Sequence, residues 1–458
     1  MGAQFVEARL DDLSLRTLIK ENEQIKEINI VRRKGVGITT YWDGVVGYSY
    51  SARLKKDALR ECVRRSVGIA RSSGKVARLK MDFERKAARK AALTLKCKKH
   101  PRDVPLEDKK EMVDIATDTA KEKGENVSSV LGLYGELSGN KFITNSDDSE
   151  ICWETVVIDL AVSVTCKDGS GNLMDAADGA GGSFGLERFS KKGKTPEDFG
   201  NNAAEWAREK MKAKKAPAGE FRALCDNHLS GVLAHESLGH LSEADFILSG
   251  ESPLKDKIGE RVGSEHVTII DEGVVNKEME GFFLPYDDQG TKTQKTLILD
   301  KGILESYLHT RATASKLQGQ LTGNARAVNF TFTPIPRMKN TYFTPGDMTE
   351  EEALETLGTG IYAIRTAGGQ ANADGSFLFK AVRGYWVENG EKKYPLKDVT
   401  LTGNILNFLV NAEGATEDLE IRSGYFGGCG KGGQWPLPVG LGGPKMLFSK
   451  VRFGGEMQ

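Results

Sequence analysis

Two histidines set five residues apart constrain this chain more than any other feature of its sequence. They lie in the segment His235-Glu236-Ser237-Leu238-Gly239-His240. On a regular helix of 3.6 residues per turn, side chains at this spacing point about 140° away from each other. Both imidazoles can reach one ligand only if the helix ends, widens into a π-turn or kinks before His240, and Gly239 tolerates such a change. If the two histidines act together, the fold must contain an irregular helical turn.

The same segment carries the residue types of a hydrolytic metal site. Histidine is the commonest protein ligand of zinc, and a neighbouring glutamate, here Glu236, can serve as general base towards a zinc-activated water. Two histidines leave a catalytic zinc one protein ligand short. The candidate third ligand is Cys429, which stands between glycines and would bind as a thiolate. Taken alone, paired helix histidines can be structural, and an ordinary buried thiol explains Cys429 more simply.

Composition excludes several other classes of protein. The 458 residues include 64 Lys plus Arg and 64 Asp plus Glu, so there is no overall basic field for nucleic acid. Six cysteines occur without C-x-x-C pairs, which is typical of a reducing compartment. The first residues carry charges where a signal peptide needs an apolar run, and no apolar stretch reaches membrane-spanning length. We therefore expect a soluble, cytoplasmic protein.

The chain divides into two parts that differ in their predicted secondary structure. Apolar spacing of three and four predicts helices over residues 54–70, 105–124 and 195–214, with strands before and between them. Lys214–Gly219 is the clearest linker, and beyond the histidine segment glycines and short strands replace helical periodicity. We predict an α+β fold. Residues 1–215 would form an N-terminal α/β domain with a mixed sheet and flanking helices, and residues 216–458 a mostly β domain carrying the histidine helix.

Two other stretches invite a functional interpretation. Residues 74–102 hold eleven lysines and arginines and two acids, a local net charge of +9. This charge fits either a nucleic-acid patch or a solvated helical face followed by a strand, and the scarcity of aromatic residues favours the second. The glycine-rich segment Gly179–Gly185 misses the G-x-G-x-x-G pattern because Phe184 replaces the last glycine, so we interpret it as a turn.

Several blocks of sequence resemble the TldD/PmbA family of metallopeptidases. The histidine segment, followed by Glu243 and Asp245, is similar to the family's motif region, and Pro336–Thr341 resembles its P-R-x-x-N-T stretch. Other matching blocks are Gly263–Asp271, Asp287–Thr291, Leu297–Leu304, Gly368–Gln370, Glu388–Gly390, Gly403–Asn404 and Gly428–Gln434. The likeness covers nearly the whole chain. Because the PmbA branch typically lacks H-E-x-x-x-H, the chain is most similar to the TldD branch.

The resemblance implies a zinc peptidase. By position it carries over His235, His240 and Cys429 as zinc ligands and Glu236 as the catalytic base. It also implies unfolded or short extended peptides as substrates, enclosed in a homodimer or in a heterodimer with a PmbA-like paralogue. From the composition and charge we expect no membrane partner and do not favour a nucleic-acid partner. The competing interpretation is a non-catalytic, peptide-binding scaffold that pairs with an active paralogue, although the intact motif argues against it.

The sequence leaves some residues around the motif with two interpretations. Glu243 or Asp245 can accept the free ring N–H of a ligand histidine, or both are ordinary surface acids. The residue that stabilises the oxyanion is unassigned, and His309 is the remaining histidine that could take this role; otherwise it is structural. Arg337 and Asn340 fit either a peptide cleft or a core turn. Leu241 and Gln289 depart from the family pattern, which has glycine and an acid there, and could alter substrate preference.

Overall fold

The computed structural model describes residues 2–77, 80, 83, 87–276, 279–372 and 374–454. Its N-terminal part contains one large sheet and three helices. The strands are β1 Phe5–Glu21, β2 Gln24–Trp42, β3 Val45–Ser51, β4 Lys90–Leu93, β5 Val127–Asn145, β6 Glu150–Lys167 and β7 Leu173–Gly182. The helices are α1 Lys56–Gly74, α2 Leu106–Lys123 and α3 Pro196–Lys212. The three helices predicted from apolar periodicity are therefore confirmed.

The seven strands form a mixed sheet in the order β3-β2-β1-β5-β6-β4, with β7 also paired to β6. All pairs are antiparallel except β4 with β6. Along β1 every second residue from Phe5 to Leu13 is buried, while the intervening Val6, Ala8 and Leu10 pack against α1. The helices therefore cover one face of the sheet, and the C-terminal part of the chain covers the other.

The C-terminal part consists of many short strands and five short helices in the described residues. The helices are α4 Asn227–Ala234, α5 Ala244–Ser249, α6 Arg311–Leu317, α7 Glu350–Leu357 and α8 Ile405–Val410. The strands are β8 Lys214–Lys215, β9 Gly219–Cys225, β10 Ile269–Glu272, β11 Lys295–Asp300, β12 Ile303–Leu304, β13 Ala325–Arg326, β14 Ile335–Pro336, β15 Asn340–Phe343, β16 Gly360–Ala371, β17 Ser376–Glu388, β18 Glu391–Lys397, β19 Thr400–Asn404, β20 Ala412–Ala415, β21 Glu420–Arg422, β22 Cys429–Lys431, β23 Gln434–Leu437, β24 Gly440–Gly443 and β25 Met446–Phe453.

Two larger sheets of this part enclose helix α4. One runs β12-β11-β10-β15-β24-β21, and the other runs β16-β9-β25-β19-β17-β18-β8, with β16 also pairing β17. Leu229 and Leu233 of α4 are fully buried in the largest apolar core of the molecule. The predicted α+β class is confirmed, and the histidine helix lies inside the C-terminal part. In the described part of the chain, no helix has the length and apolarity needed to cross a membrane.

Some sequence predictions were wrong in detail. The glycine-rich segment Gly179–Gly185 is not simply a turn, because its first four residues belong to β7. The predicted linker begins as β8, which pairs with β18. Of the basic stretch 74–102, the predicted strand is confirmed as β4, whereas seven of the residues between 78 and 86 lie outside the described ones.

Candidate metal centre

Helix α4 begins at a fixed point in the core. Asp226 precedes it, and its Oδ1 accepts the backbone N–H of Leu229 at 2.8 Å, which satisfies one of the free donors of the first turn. The same oxygen accepts the N–H of Arg365 from β16 at 2.9 Å. Because the cap is shared with a strand of the surrounding sheet, the helix that carries the histidines has a defined position in the core.

The helix then widens at the histidines. Residues His235–Gly239 form a π-turn, in which the N–H of His240 donates to the carbonyl of His235, five residues earlier. The ring centroids of His235 and His240 consequently lie 5.1 Å apart. At Gly239 a Cβ would stand 2.1 Å from Sδ of Met338, so only glycine fits there without displacement. The irregular turn required by the five-residue spacing is thus present as a π-turn.

Cys429 reaches the two rings from the other end of the C-terminal part. It opens β22, which pairs with β23 through a tight turn where Gly432 and Gly433 have positive φ. Its Sγ lies 3.2 Å from Nε2 of His240, and the three potential ligand atoms of the residue trio all lie within 4.8 Å of one another. The structure therefore brings together the three residues that were predicted as metal ligands.

The electrostatics of the trio favour a thiolate. Burial raises the pKa of the Cys429 thiol, but the neighbouring imidazoles of His240 and His235 outweigh it and hold that pKa well below its usual value. Burial lowers the pKa of His240, while Glu243 and Cys429 raise it well above its usual value. Nδ1 of His235 is buried and has no hydrogen-bond partner among the described residues. Two imidazole nitrogens and one thiolate form a donor set that suits zinc.

A buried ion-pair network supports the second histidine. Nδ1–H of His240 donates to Oε2 of Glu243 at 2.9 Å. Nζ of Lys431 donates to the same oxygen at 2.9 Å and to Oδ1 of Asp245 at 2.6 Å. Burial raises the pKa of Glu243, but His240 and Lys431 lower it to about 2. Glu243 is thus the acid that holds the ring of His240, a choice that the sequence left open between Glu243 and Asp245.

Sequence reasoning missed Lys431, although a signal for it existed. It stands two residues after Cys429 on the same short strand, so both side chains point to one side of the β22–β23 hairpin. Its side chain is 7% exposed and its ammonium lies 4.1 Å from the ring of Phe246. Lys431 therefore joins the cysteine strand to the segment that follows His240.

Glu236 faces open space rather than the core. Its side chain is 27% exposed, and its Oε2 lies 3.9 Å from Nε2 of His240. It lines a cleft of about 360 Å³ between strands β6 and β7 and the helix α4. The ionisable residues that share this cleft with Glu236 and His235 are Asp159, Asp178, His228, Arg365 and Arg422. Glu236 thus has a carboxylate beside the trio and access to a molecule in the cleft.

Other residues singled out in the sequence lie outside the cleft. His309 is buried in a different place, where its Nδ1 lies 3.3 Å from Thr313 Oγ1 and burial lowers its pKa to about 4. Asn340 donates to the carbonyls of Glu272 and Phe282 in the core, both at 2.8 Å. Arg337 has its Nε 3.9 Å from Oε1 of Glu243, so it belongs to the network behind His240.

Neither departure from the family pattern touches the trio. Leu241 is buried in the apolar core that surrounds α4. Gln289 bridges the two parts of the chain instead: its Oε1 accepts the N–H of Arg311 at 3.0 Å, and its Nε2 donates to the hydroxyl of Tyr41 at 3.2 Å. The two substitutions therefore act on packing and on the contact between the N-terminal sheet and the C-terminal part.

A nitrogen–nitrogen–sulfur donor set with a carboxylate facing a cleft has the residue types of a metal-dependent hydrolase. Comparison with known proteins narrows this class, and the chain belongs to the TldD/PmbA family. Models of the PmbA/TldA metallopeptidase domain 1, central domain and C-terminal domain match residues 6–70, 99–211 and 218–455.

Relatives of known name agree with this assignment. Metalloprotease MJ0996 of Methanocaldococcus jannaschii is 35% identical over 96% of this chain and 94% of its own length. A metalloprotease TldD homolog of Buchnera aphidicola is 28% identical over 96% of this chain and 90% of its own. A zinc metalloprotease TldD homolog of Saccharolobus solfataricus is 34% identical over 54% of each chain.

Solved structures share the fold. The crystal structure of TldE from Thermococcus kodakarensis superposes with a TM-score of 0.77 at 15% identity, covering 99% of this chain and 97% of that one. A Thermotoga maritima protein gives a TM-score of 0.79 at 23% identity, covering 98% and 96%. At such identities the likeness establishes the architecture alone.

Proposed function

We propose that this protein is a zinc-dependent peptidase that hydrolyses unfolded or short extended peptides. The observation that carries the proposal is the meeting of His235, His240 and Cys429 beside Glu236 at the wall of a cleft. In this proposal the two imidazoles and the thiolate hold the metal. A zinc ion there would polarise the scissile carbonyl and activate a water molecule for attack.

Each remaining residue has a defined task in the proposed reaction. Glu236 takes a proton from the attacking water and delivers it to the departing amine, as a general base and then a general acid. Its position at the cleft, with more than a quarter of its side chain exposed, supports this role. Glu243 fixes the proton of His240 on Nδ1, so that Nε2 presents its lone pair towards Cys429 and the metal position.

The cleft supports the proposed substrate class. Its volume, about 360 Å³, accommodates a few residues of an extended chain but not a folded domain. Gly179, Ala180 and Gly181 of β7 line the cleft and give it a wall without large side chains. Recognition of a peptide through main-chain hydrogen bonds depends on an extended backbone more than on a sequence. Action inside a homodimer or a heterodimer with a PmbA-like paralogue, in the cytoplasm, belongs to the same proposal.

The test combines metal analysis with digestion of an unstructured peptide. The purified protein should contain close to one zinc per chain, and a chelator should abolish hydrolysis until zinc is returned. Glu236→Gln should keep its zinc and lose turnover, since the amide cannot accept the proton. Cys429→Ala should lose zinc, whereas Cys152→Ala, a cysteine far from the trio in sequence, should not. Peptide turnover by Glu236→Gln would reject the assigned base, and peptide binding without turnover in the zinc-loaded protein would favour the scaffold.

A further inference from the structure

Cys429, the proposed third ligand, follows a loop that has little conformational rigidity of its own. The loop Ser423–Gly428 connects β21 to Cys429 and contains three glycines. Gly427 and Gly428 have φ values of +89° and +126°, which only glycine adopts readily. A segment of this composition loses much conformational freedom when it is held in one conformation. Something outside the loop must therefore hold it where Cys429 meets the histidines.

The N-terminal sheet offers a row of four residues that fits this loop. Thr17, Gly135, Asp159 and Gly181 are directly opposite one another across β1, β5, β6 and β7. Residues in register on neighbouring strands point to the same face, and here it is the face covered by the C-terminal part. The loop Ser423–Gly428 lies across this row.

Tyr425 occupies the first half of the row. Its hydroxyl lies 3.0 Å from Oγ1 of Thr17, at hydrogen-bond distance. Its ring fills the space left by the missing side chain of Gly135, where a Cβ would stand 2.1 Å from Cδ1 of the tyrosine. The pair Thr17 and Gly135 therefore forms a notch with one polar wall, shaped to the tyrosine side chain.

The rest of the loop occupies the second half. The N–H of Phe426 donates to Oδ2 of Asp159 at 3.2 Å, and a Cβ at Gly424 would stand 2.5 Å from the same oxygen. The N–H of Ser423 donates to the carbonyl of Gly181 at 3.4 Å, where a Cβ would stand 2.6 Å from the carbonyl oxygen of Ser423. The two glycines of the row thus leave space for the loop, and its two polar residues form hydrogen bonds with the loop.

We propose that this cross-strand row positions the metal ligand Cys429, with Tyr425 as the residue that anchors its loop. The inference rests on the proposed role of Cys429 as a ligand. It makes the N-terminal sheet part of the metal centre, although none of its residues binds the metal. We therefore expect a substitution in the row to lower the metal affinity by about tenfold to a hundredfold, as substitutions of residues that support a metal ligand do.

The discriminating variant is Gly135→Ala, which fills the notch. Its matched control is Gly132→Ala on the same strand, where a Cβ would stand 2.5 Å from Thr117 Cγ2 of α2, on the opposite face of the sheet. Both variants crowd the sheet, but only the first displaces Tyr425. Thr17→Val, which keeps the shape and removes the hydroxyl, serves if Gly135→Ala does not fold.

Two measurements on the full chain decide the inference. Zinc affinity, from competition with a chromophoric chelator, should fall about tenfold or more in Gly135→Ala and remain at the native value in Gly132→Ala. In the cobalt(II)-loaded protein, the thiolate-to-cobalt absorption should weaken in Gly135→Ala towards its level in Cys429→Ser. Native affinity and absorption in both Gly135→Ala and Thr17→Val would overturn the inference and leave the peptidase proposal intact. Absence of zinc binding by the native protein would instead overturn the peptidase proposal.

Discussion

At the scale of single residues, the sequence indicated the candidate trio of metal ligands but not the network behind it. Two histidines, one glutamate and one cysteine were identifiable because their chemistry is rare and their family resemblance is specific. Which acid orients His240 was not identifiable, since Glu243 and Asp245 follow it at similar spacing. The choice depends on the direction of the chain after the π-turn and on Lys431, which arrives from a strand nearly 190 residues away.

Replacement of Glu243 by glutamine tests the orienting role. The amide keeps an oxygen that accepts the N–H of His240 but loses the charge that stabilises His240 and Lys431. We expect zinc affinity to fall by about tenfold to a hundredfold, as for other residues that support a metal ligand. The matched control is Asp245→Asn, which touches Lys431 but not His240, and it should have the smaller effect. Equal losses in both variants, measured by chelator competition, would contradict the assignment.

At the scale of elements, apolar patterns of period 3.6 predicted the three N-terminal helices, whereas the lengths of the strands were harder to predict from the sequence. β1 and β2 form one hairpin of 17 and 19 residues, a length that no simple apolar alternation in this part of the sequence indicates. Buried Glu7, Arg9 and Asp11 interrupt the expected apolar alternation of β1, because their face meets a polar surface of the C-terminal part. Gly179 and Gly181 looked like turn residues, but a Cβ at Gly179 would stand 2.5 Å from the Leu160 carbonyl oxygen of the paired strand β6, and one at Gly181 would stand 2.6 Å from that of Ser423.

The π-turn gives a prediction at this scale. The five-residue spacing required an irregular turn, but the form of that turn depends on Met338, which lies just before β15 and packs against Gly239. The sequence did not indicate that these two residues are in contact. Gly239→Ala should lower the free energy of unfolding by about 1–3 kcal/mol, as overpacked cores do, and should also weaken zinc binding. Gly68→Ala in the exposed part of α1, where nothing lies within 4 Å of a Cβ, should instead stabilise slightly. Denaturant titration of both variants measures the difference, and equal stability of the two would contradict it.

At the scale of the whole molecule, the N-terminal sheet and the C-terminal part meet through buried charges. Arg9 donates to the carbonyls of Asn329 and Phe332, both at 2.9 Å, and lies 3.3 Å from Asp288. Lys141 donates to the other oxygen of Asp288 at 2.6 Å. Charged residues are rarely buried unless paired, so sequence reasoning places them on the surface. The partners that justify their burial are separated by up to some 320 residues, and only the tertiary structure brings them together.

Glu7 makes this contact sensitive to pH. It is buried on β1 with Oε2 3.9 Å from Nη1 of Arg311, and that oxygen has no hydrogen bond within the described residues. Burial raises its pKa to about 8; Arg311 and Arg9 lower the pKa, and Asp287 and Asp288 raise it, to a smaller extent. The folded protein therefore holds a proton that the unfolded chain, in which the pKa of a glutamate has its ordinary value of 4.5, releases.

The sign of the effect follows from this difference in proton binding. Between about pH 4.5 and pH 8 the folded state binds more protons than the unfolded state at this site, so the contribution of Glu7 to stability is present at low pH and is lost as the pH rises towards 8. Glu7→Gln resembles the protonated form and cannot titrate. We expect the native protein to lose more stability than Glu7→Gln between pH 5 and pH 8, by on the order of 3 kcal/mol. Urea titrations at both pH values measure this difference. The exposed Glu27→Gln variant should follow the native protein, and an identical pH response in all three would show that Glu7 stays ionised in the folded state.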